Sequence, residues 1–173
     1  MKKRTKKDSN DFLQELNKLT GLSMRLPTEA EWEFAARGGK YSNGYAYSGG
    51  NKLSTIANYH DYYTSRCGVL NANELGLYDM HGNVWEYCRD YYQDWSYNPA
   101  TVPAGDDPID LHDSQGGSRV IRGGSFNYPG FSYWEGRGWD RVEVFDGFIG
   151  VRNNRGGIQE IDSRKDVGFR PAL

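Results

Sequence analysis

Long stretches without a helical or strand period make up much of this chain and separate a few short patterned segments. Residues 40–72 are rich in Tyr, Ser, Asn and Gly, and residues 93–117 are polar and interrupted by three prolines. Irregular connections of this length are uncommon unless a scaffold fixes them or they take part in binding. With 22 glycines and 14% aromatic residues, the pattern predicts a loop-rich fold whose core contains a few large rings.

A first helix is predicted near the N-terminus. Asp8 or Ser9 can cap its start, because their side-chain oxygens accept from exposed backbone N–H groups. Gly21 supplies a left-handed stop at its end. Apolar residues recur at helical spacing between these points, and the predicted buried stripe consists of Phe12, Leu16 and Leu19.

A second helix is predicted just after Pro27. Thr28 and Glu31 have the spacing of a capping box, in which each side chain bonds the other residue's backbone N–H. The pair Gly38 and Gly39 would end the helix. Its apolar stripe is predicted to consist of Trp32, Ala35 and Ala36.

Short strands are predicted around residues 84–87, 119–122 and 167–170, where apolar residues are bounded by glycine turns. Cys67 and Cys88 are too few for a disulfide framework or, without a histidine pattern, for a zinc site. Both are interpreted as buried thiols, with a mutual disulfide as the alternative.

Charge and hydropathy exclude some classes of partner. The net charge of −2 does not indicate nucleic-acid binding. Residues 1–7 are predicted to be a flexible basic tail, followed by a single domain over residues 8–173. No leader peptide or apolar run long enough for membrane insertion is visible, so we expect a soluble protein. The sequence specifies neither an oligomeric state nor a compartment.

Four motifs, in order, resemble those of the formylglycine-generating-enzyme (sulfatase-modifying factor) family. They are MRLPTEAEWEFAARGG at 24–39, NELGLYDMHGNVWE at 73–86, RVIRGGS at 119–125 and VGFR at 167–170. The resemblance implies an α+β, C-type-lectin-like fold with two helices flanking small twisted antiparallel sheets and long loops. It also implies an N-terminally shortened version, with an insertion within residues 136–166.

The family's oxidation chemistry requires a pair of cysteines that bind Cu(I) and follow the Gly-Gly-Ser motif. The matching positions here are Tyr128 and Tyr133, and no cysteine follows Cys88. Cu(I) is a soft ion that prefers thiolates, and a phenol is a hard oxygen donor with a pKa near 10. We therefore expect no catalytic residues and no required cofactor.

The resemblance also implies a structural calcium site, since family members often hold calcium around the Gly-Asn-Val-Trp-Glu motif. The matching ligands would be the side chains of Asp79 and Glu86 and the carbonyls of Gly82 and Val84. In the alternative interpretation, both carboxylates cap a turn and accept from backbone N–H groups.

The C-terminal third has the composition of a binding surface, with eight aromatic residues in the 23 positions from 126 to 148. It lies between the Gly-Gly-Ser and Gly-Phe-Arg motifs, as does the diversified segment in variable proteins of diversity-generating retroelements, which the chain resembles. The predicted ligand-binding residues are Phe126, Tyr128, Phe131, Tyr133, Trp134, Arg137, Asp140, Arg141, Phe145, Asp146, Arg152 and Asn154.

The leading hypothesis is a non-catalytic protein that binds a protein or cell-surface ligand through this face. One alternative is an oxidase-type enzyme of the same family, which predicts a concave pocket with convergent polar groups. Another is a structural domain that mediates assembly, which predicts an apolar, self-complementary face.

Overall fold

The computed structural model describes residues 6–59, 61–91, 118–126, 155–159 and 165–173. They form two compact units. The first, here called the sheet unit, contains the described residues within Met1–Phe34, Trp85–Arg122 and Arg155–Leu173, and the second, the loop unit, contains those within Ala35–Val84 and Gly123–Asn154. Neither described helix is long and apolar enough to cross a membrane. The elements are α1 (Lys6–Thr20), α2 (Glu29–Ala36), β1 (Ala57–Asn58), β2 (His81–Gly82), β3 (Trp85–Tyr91), β4 (Ser118–Arg122), β5 (Arg155–Gln159) and β6 (Val167–Phe169).

Helix α1 begins at Lys6, two residues before the predicted cap, so Asp8 lies in its first turn. An acidic residue there stabilises the positive end of the helix dipole. The predicted stripe is partly wrong. Leu13 is buried while Phe12 and Leu19 are exposed, and the buried side of the helix is rotated by about one residue. The stop at Gly21 is confirmed by its φ of 70°.

The capping box of α2 is confirmed. The Glu31 N–H donates to Thr28 Oγ1 at 3.2 Å, and the Thr28 N–H donates to Glu31 Oε2 at 2.8 Å. Arg25 forms two further bonds to the Glu31 carboxylate, at 2.6 and 2.7 Å. These Arg25 bonds lower the pKa of Glu31 to about 2, with the Thr28 N–H as a weaker contribution.

Glu31→Gln should therefore destabilise the protein in a pH-dependent way. A lowered folded-state pKa stabilises the fold above the usual carboxyl pKa, and this stabilisation is lost as pH falls from about 5 to 2. Because the Glu31 side chain is 39% exposed, we expect a loss of only about 1 kcal/mol at pH 7. Glutamine can keep the capping bond, so the two proteins differ mainly in the charge at position 31. Urea titrations should therefore show the difference in the free energy of unfolding shrinking towards pH 2, where Glu31 becomes protonated. A difference that stays constant with pH would contradict the assignment.

The sheet unit contains a four-stranded sheet in the order β5-β4-β3-β6. Strand β4 pairs antiparallel with both β3 and β5, whereas β6 pairs parallel with β3. The predicted antiparallel pairing is confirmed for β3, β4 and β5, whereas β6 pairs in parallel with β3 and β1 pairs in parallel with β2. The three predicted strands are confirmed, and β5 was missed because it lies in the stretch interpreted as an insertion. The core beneath the sheet consists of Leu13, Leu26, Trp85, Tyr87, Ile121 and Val167.

The loop unit is held mainly by turns rather than by long strands, as the missing period of residues 40–72 predicted. Its two-residue strands β1 and β2 pair in parallel. Two 3₁₀ turns, Gly39–Tyr41 and Leu53–Thr55, lie between α2 and β1. The small core of this unit consists of Tyr47, Leu53, Ile56 and Ala57.

The two cysteines differ in environment. Cys88 on β3 is fully buried, as predicted, whereas Cys67 is exposed, which corrects the prediction that both are buried. Both are free thiols, so the mutual disulfide is also wrong. Burial raises the pKa of the Cys88 thiol well above its usual value, against the opposing charge of Arg122. A protonated, buried thiol is chemically inert.

Candidate functional site

The predicted binding segment, residues 126–154, lies within the connection between two neighbouring antiparallel strands. Strands β4 and β5 are paired over five positions, and the last pair joins Arg122 to Arg155. The connection therefore leaves the sheet and returns to it at adjacent points. Of the twelve predicted binding residues, eleven lie outside the described residues: Tyr128, Phe131, Tyr133, Trp134, Arg137, Asp140, Arg141, Phe145, Asp146, Arg152 and Asn154.

The twelfth, Phe126, is described, and its side chain is only 4% exposed. Its N–H donates to the carbonyl of Asn83 at 2.9 Å, and its own carbonyl accepts from the Asp61 N–H at 2.9 Å. Phe126 therefore anchors the start of the segment and does not belong to an exposed aromatic patch. The sequence could not show this, because both partners are distant along the chain.

Phe126 bonds to a tight turn formed by Gly82 and Asn83. Both residues have positive φ, 72° and 59°. The Gly82 N–H donates to the Gly123 carbonyl, and the Asn83 N–H donates to the Asn58 carbonyl, both at 2.8 Å. The Asn83 side chain also accepts from the Ser65 N–H at 3.1 Å. The Gly-Asn pair of the second motif thus organises the backbone around the start of the segment.

All four sequence motifs contribute to one network of hydrogen bonds, an ion pair and a cation–π contact inside the sheet unit. Arg170 donates to both Glu86 oxygens, at 2.8 and 3.0 Å. The Trp32 indole N–H donates to Glu86 Oε2 at 2.8 Å, and the Arg122 guanidinium lies 5.1 Å from the Trp32 ring. Arg122 in turn forms a 2.8 Å ion pair with Glu33. The motifs therefore join α2, β3, β4 and the residue that follows β6 within the sheet unit.

This network was missed in the sequence. Glu29 and Glu33 share the α2 face of Trp32 and Ala36, at positions i, i+3, i+4 and i+7. Two carboxylates on an otherwise apolar face signal a buried cationic partner. The partner is Arg122, whose side chain is 1% exposed.

The predicted calcium ligands do not fit the arrangement. Both oxygens of Glu86 already accept from Arg170, and one also accepts from Trp32. The Asp79 carboxylate accepts from the Gly68 N–H at 2.8 Å, which matches the turn-capping alternative for that residue. The other two predicted ligands are the uncharged backbone carbonyls of Gly82 and Val84. Over the described ranges, no three His, Cys, Asp or Glu side chains are grouped so that they could hold a metal ion.

Comparison with known proteins places these features in a family. Residues 5–172 match the family described as "Sulfatase-modifying factor enzyme 1-like domain". A serine/threonine-protein kinase Pkn1 of Chlamydia trachomatis is 41% identical over 60% of this chain and 16% of its own length. The formylglycine-generating enzyme of Thermomonospora curvata is 38% identical over 62% of this chain and 40% of its own length. The chain thus spans less than half of these relatives.

A relative from Bos taurus, named inactive C-alpha-formylglycine-generating enzyme 2, is 42% identical over 40% of this chain and 27% of its own length. Among solved structures, Treponema denticola variable protein 1 has a TM-score of 0.59 and 31% identity, over 86% of this chain and 46% of that one. PvdO from Pseudomonas aeruginosa has a TM-score of 0.69 and 25% identity, over 96% and 59%. These matches confirm the predicted α+β, formylglycine-generating-enzyme-like fold.

Proposed function

Because the chain belongs to the sulfatase-modifying factor enzyme 1-like domain family, we propose that it is a non-catalytic ligand-binding member of that family. Its binding face is formed by residues of the β4–β5 connection. Its ligand is a protein, either free in solution or on a cell surface. Its binding segment is of the diversified type carried by variable proteins.

The observation that carries the proposal is the paired stem of the connection. Five register pairs join β4 to β5 and fix the two ends of residues 123–154. Binding residues are commonly placed on loops that a rigid scaffold positions. Here the stem ends at Arg122, whose buried ion pairs with Glu29 and Glu33 fix its guanidinium. A segment held in this way can vary in sequence without loss of the core.

The chemistry of the segment supports binding rather than oxidation. Tyr128 and Tyr133 occupy the positions that match the copper-binding cysteines, and phenols do not supply the soft thiolates that Cu(I) requires. The only buried thiol described, Cys88, is kept protonated by its environment. The bovine relative is named inactive, so a member without activity has a precedent in the family.

The composition of the segment supports a protein ligand. Eight aromatic residues in 23 positions are separated by Gly, Ser, Asn, Asp and Arg. Large rings supply contact area at a low cost in conformational entropy, while small polar residues adapt their hydrogen bonds. Burial of Phe126 leaves seven of these rings for contact or for the interior. The likeness to a variable protein, at 31% identity and a TM-score of 0.59, supports the diversified origin.

A second candidate is an oxidase-type enzyme, which the 38% identity to a formylglycine-generating enzyme favours. It requires a metal-binding group that replaces the missing cysteine pair. The third candidate, an assembly domain, requires a self-complementary apolar face. The polar residues between the rings of the segment favour ligand binding over both.

The test is made at the encoding locus and with the purified chain. We expect a near-copy of the DNA for residues 126–170, differing only at adenines, beside a reverse transcriptase gene. If the locus contains neither the near-copy nor the reverse transcriptase gene, the binding face has a fixed sequence and is not diversified.

The second test measures oxidation by the purified chain. With Cu(I) and a cysteine-containing sulfatase peptide, we expect no formylglycine by mass spectrometry, with the Thermomonospora curvata enzyme as the positive control. Conversion of the peptide by this chain would contradict the non-catalytic assignment.

A further inference from the structure

The connection that follows α2 contains the one Asn-Gly pair of the sequence, Asn43 and Gly44. Both residues are exposed, and they lie in irregular backbone between the 3₁₀ turn Gly39–Tyr41 and the bridge that pairs Tyr47 with Gly50. The backbone nitrogen after an asparagine can attack the carbonyl carbon of the asparagine side chain, because a five-membered ring then closes. Such an intramolecular reaction is fast where the backbone can reach the reacting geometry.

Gly44 presents little obstacle to this attack. Its φ is 72°, and a Cβ atom added there would have no other atom within 4 Å. The space around it is therefore open, and glycine has the most conformational freedom of any residue. The Gly44 N–H donates to Ser42 Oγ at 3.3 Å, a long bond at the surface that leaves the amide accessible to water and hydroxide.

The Asn43 side chain differs from other asparagine side chains in having no structural task in the described ranges. Asn51 accepts from the Ala46 N–H at 2.9 Å, and Asn17 both donates to and accepts from the Met24 backbone at 2.8 Å. A carboxamide held in this way cannot turn towards the backbone nitrogen that follows it. Among the hydrogen bonds between described residues, none involves the Asn43 side chain, so it is able to turn.

We propose that Asn43 is a site of spontaneous deamidation. The Gly44 amide nitrogen loses its proton to hydroxide and forms a bond to Cγ of Asn43, and the side-chain nitrogen leaves as ammonia with a proton from water. A second water molecule opens the resulting succinimide ring at either carbonyl, which gives aspartate or isoaspartate at position 43. No electron is transferred, and each conversion adds one negative charge to a chain whose net charge is −2. The proposal does not depend on the proposed function.

The new charge arises beside Glu74. Glu74 Oε1 accepts from the Asn43 N–H at 2.9 Å, and Glu74 Oε2 is buried without a hydrogen-bond partner in the part of the chain that the structure describes. A carboxylate created on the residue that supplies the donor repels the Glu74 carboxylate. Isoaspartate in addition inserts a methylene group into the backbone. Conversion therefore weakens the bond to Glu74 that holds the connection after α2, and this bond weakens as the molecule ages.

The experiment incubates the full chain at pH 8 and follows its asparagines by peptide mass mapping. We expect Asn43 to convert at least about tenfold faster than Asn71, an exposed asparagine that is followed by alanine. Gly44→Ala should slow conversion of Asn43 about tenfold or more. Since alanine at a φ of 72° is strained, Asn43→Gln serves as a second variant. It keeps the glycine, and position 43 should stay unconverted because glutamine would have to close a six-membered ring.

The contact with Glu74 is tested on the converted chains, separated from the unconverted ones by anion exchange. Hydrogen exchange at the residue 43 amide should be about tenfold faster in the converted chains, and equal rates would show that the bond to Glu74 survives.

Three results would overturn the modification site itself. One is conversion of Asn43 no faster than that of Asn71, and another is conversion that Gly44→Ala leaves unchanged. The third is conversion about a hundredfold faster in urea than in the folded chain, which would show that the fold holds Asn43 away from the reacting geometry.

Discussion

Arg122→Met is expected to lower the free energy of unfolding by about 3–5 kcal/mol, because it leaves buried carboxylates without their cationic partner. The Arg122 side chain is 1% exposed, and it pairs with Glu29 at 3.4 Å and with Glu33 at 2.8 Å. The Glu29 and Glu33 side chains are themselves 2% and 12% exposed. Methionine fills part of the volume but donates no hydrogen bond. Urea denaturation at pH 7 gives the measurement.

Arg25→Met is the matched control for this substitution. Arg25 also bonds a carboxylate with both terminal nitrogens, but its side chain is 37% exposed. Exposed pairs contribute about 1 kcal/mol or less, so this variant should lose far less stability. Adding Glu33→Gln to Arg122→Met should recover part of the loss, since it removes one uncompensated charge. A loss below about 1 kcal/mol for Arg122→Met would show that the network does not hold the stem.

Gly82→Ala is expected to cost about 3 kcal/mol or more. At a φ of 72° an L side chain is strained by about 1–2 kcal/mol. In addition, a Cβ atom at this position would overlap the backbone carbonyl of Asn58. Relieving that overlap requires a backbone shift, and overpacking of this kind costs about 1–3 kcal/mol. The shift would also disturb the Gly82 bond to Gly123 at the start of the connection.

Gly76→Ala provides a control with the same backbone conformation. Its φ is 74°, and a Cβ atom added there would have no other atom within 4 Å. It should therefore cost only the conformational strain, about 1–2 kcal/mol. The difference between the two melting temperatures isolates the contact with Asn58. Equal losses for the two variants would mean that the turn at Gly82 has room to relax.

The features that the sequence predicted correctly depend on neighbours along the chain. The capping box of α2 needs only Thr28 and Glu31, three residues apart, and both bonds are present. The left-handed stop at Gly21 is equally local. The strand that contains Trp85 was visible because apolar residues follow a glycine turn. The family motifs then indicated the fold, which the solved structures confirm.

The features that were missed depend on contacts between distant residues. The rotation of α1 is fixed by Asn17, whose side chain both donates to and accepts from the backbone of Met24 at 2.8 Å. Nothing in the spacing of Phe12, Leu13 and Leu19 specifies which of them is buried. The parallel pairing of β6 with β3 likewise joins residues about 80 positions apart. The backbone hydrogen bonds of Phe126 likewise join it to Asp61 and Asn83, which are distant along the chain.

The pairing of Arg122 with Arg155 also determines how the chain tolerates changes in length. Once β4 and β5 are paired, the entropy of closing their connection grows only with the logarithm of its length, and doubling that length costs about 0.6 kcal/mol. The stem can therefore accept an inserted peptide or a small grafted module at little thermodynamic cost, provided the register up to Arg122 is kept. We therefore expect foreign loops inserted between β4 and β5 to be tolerated at a small cost in stability.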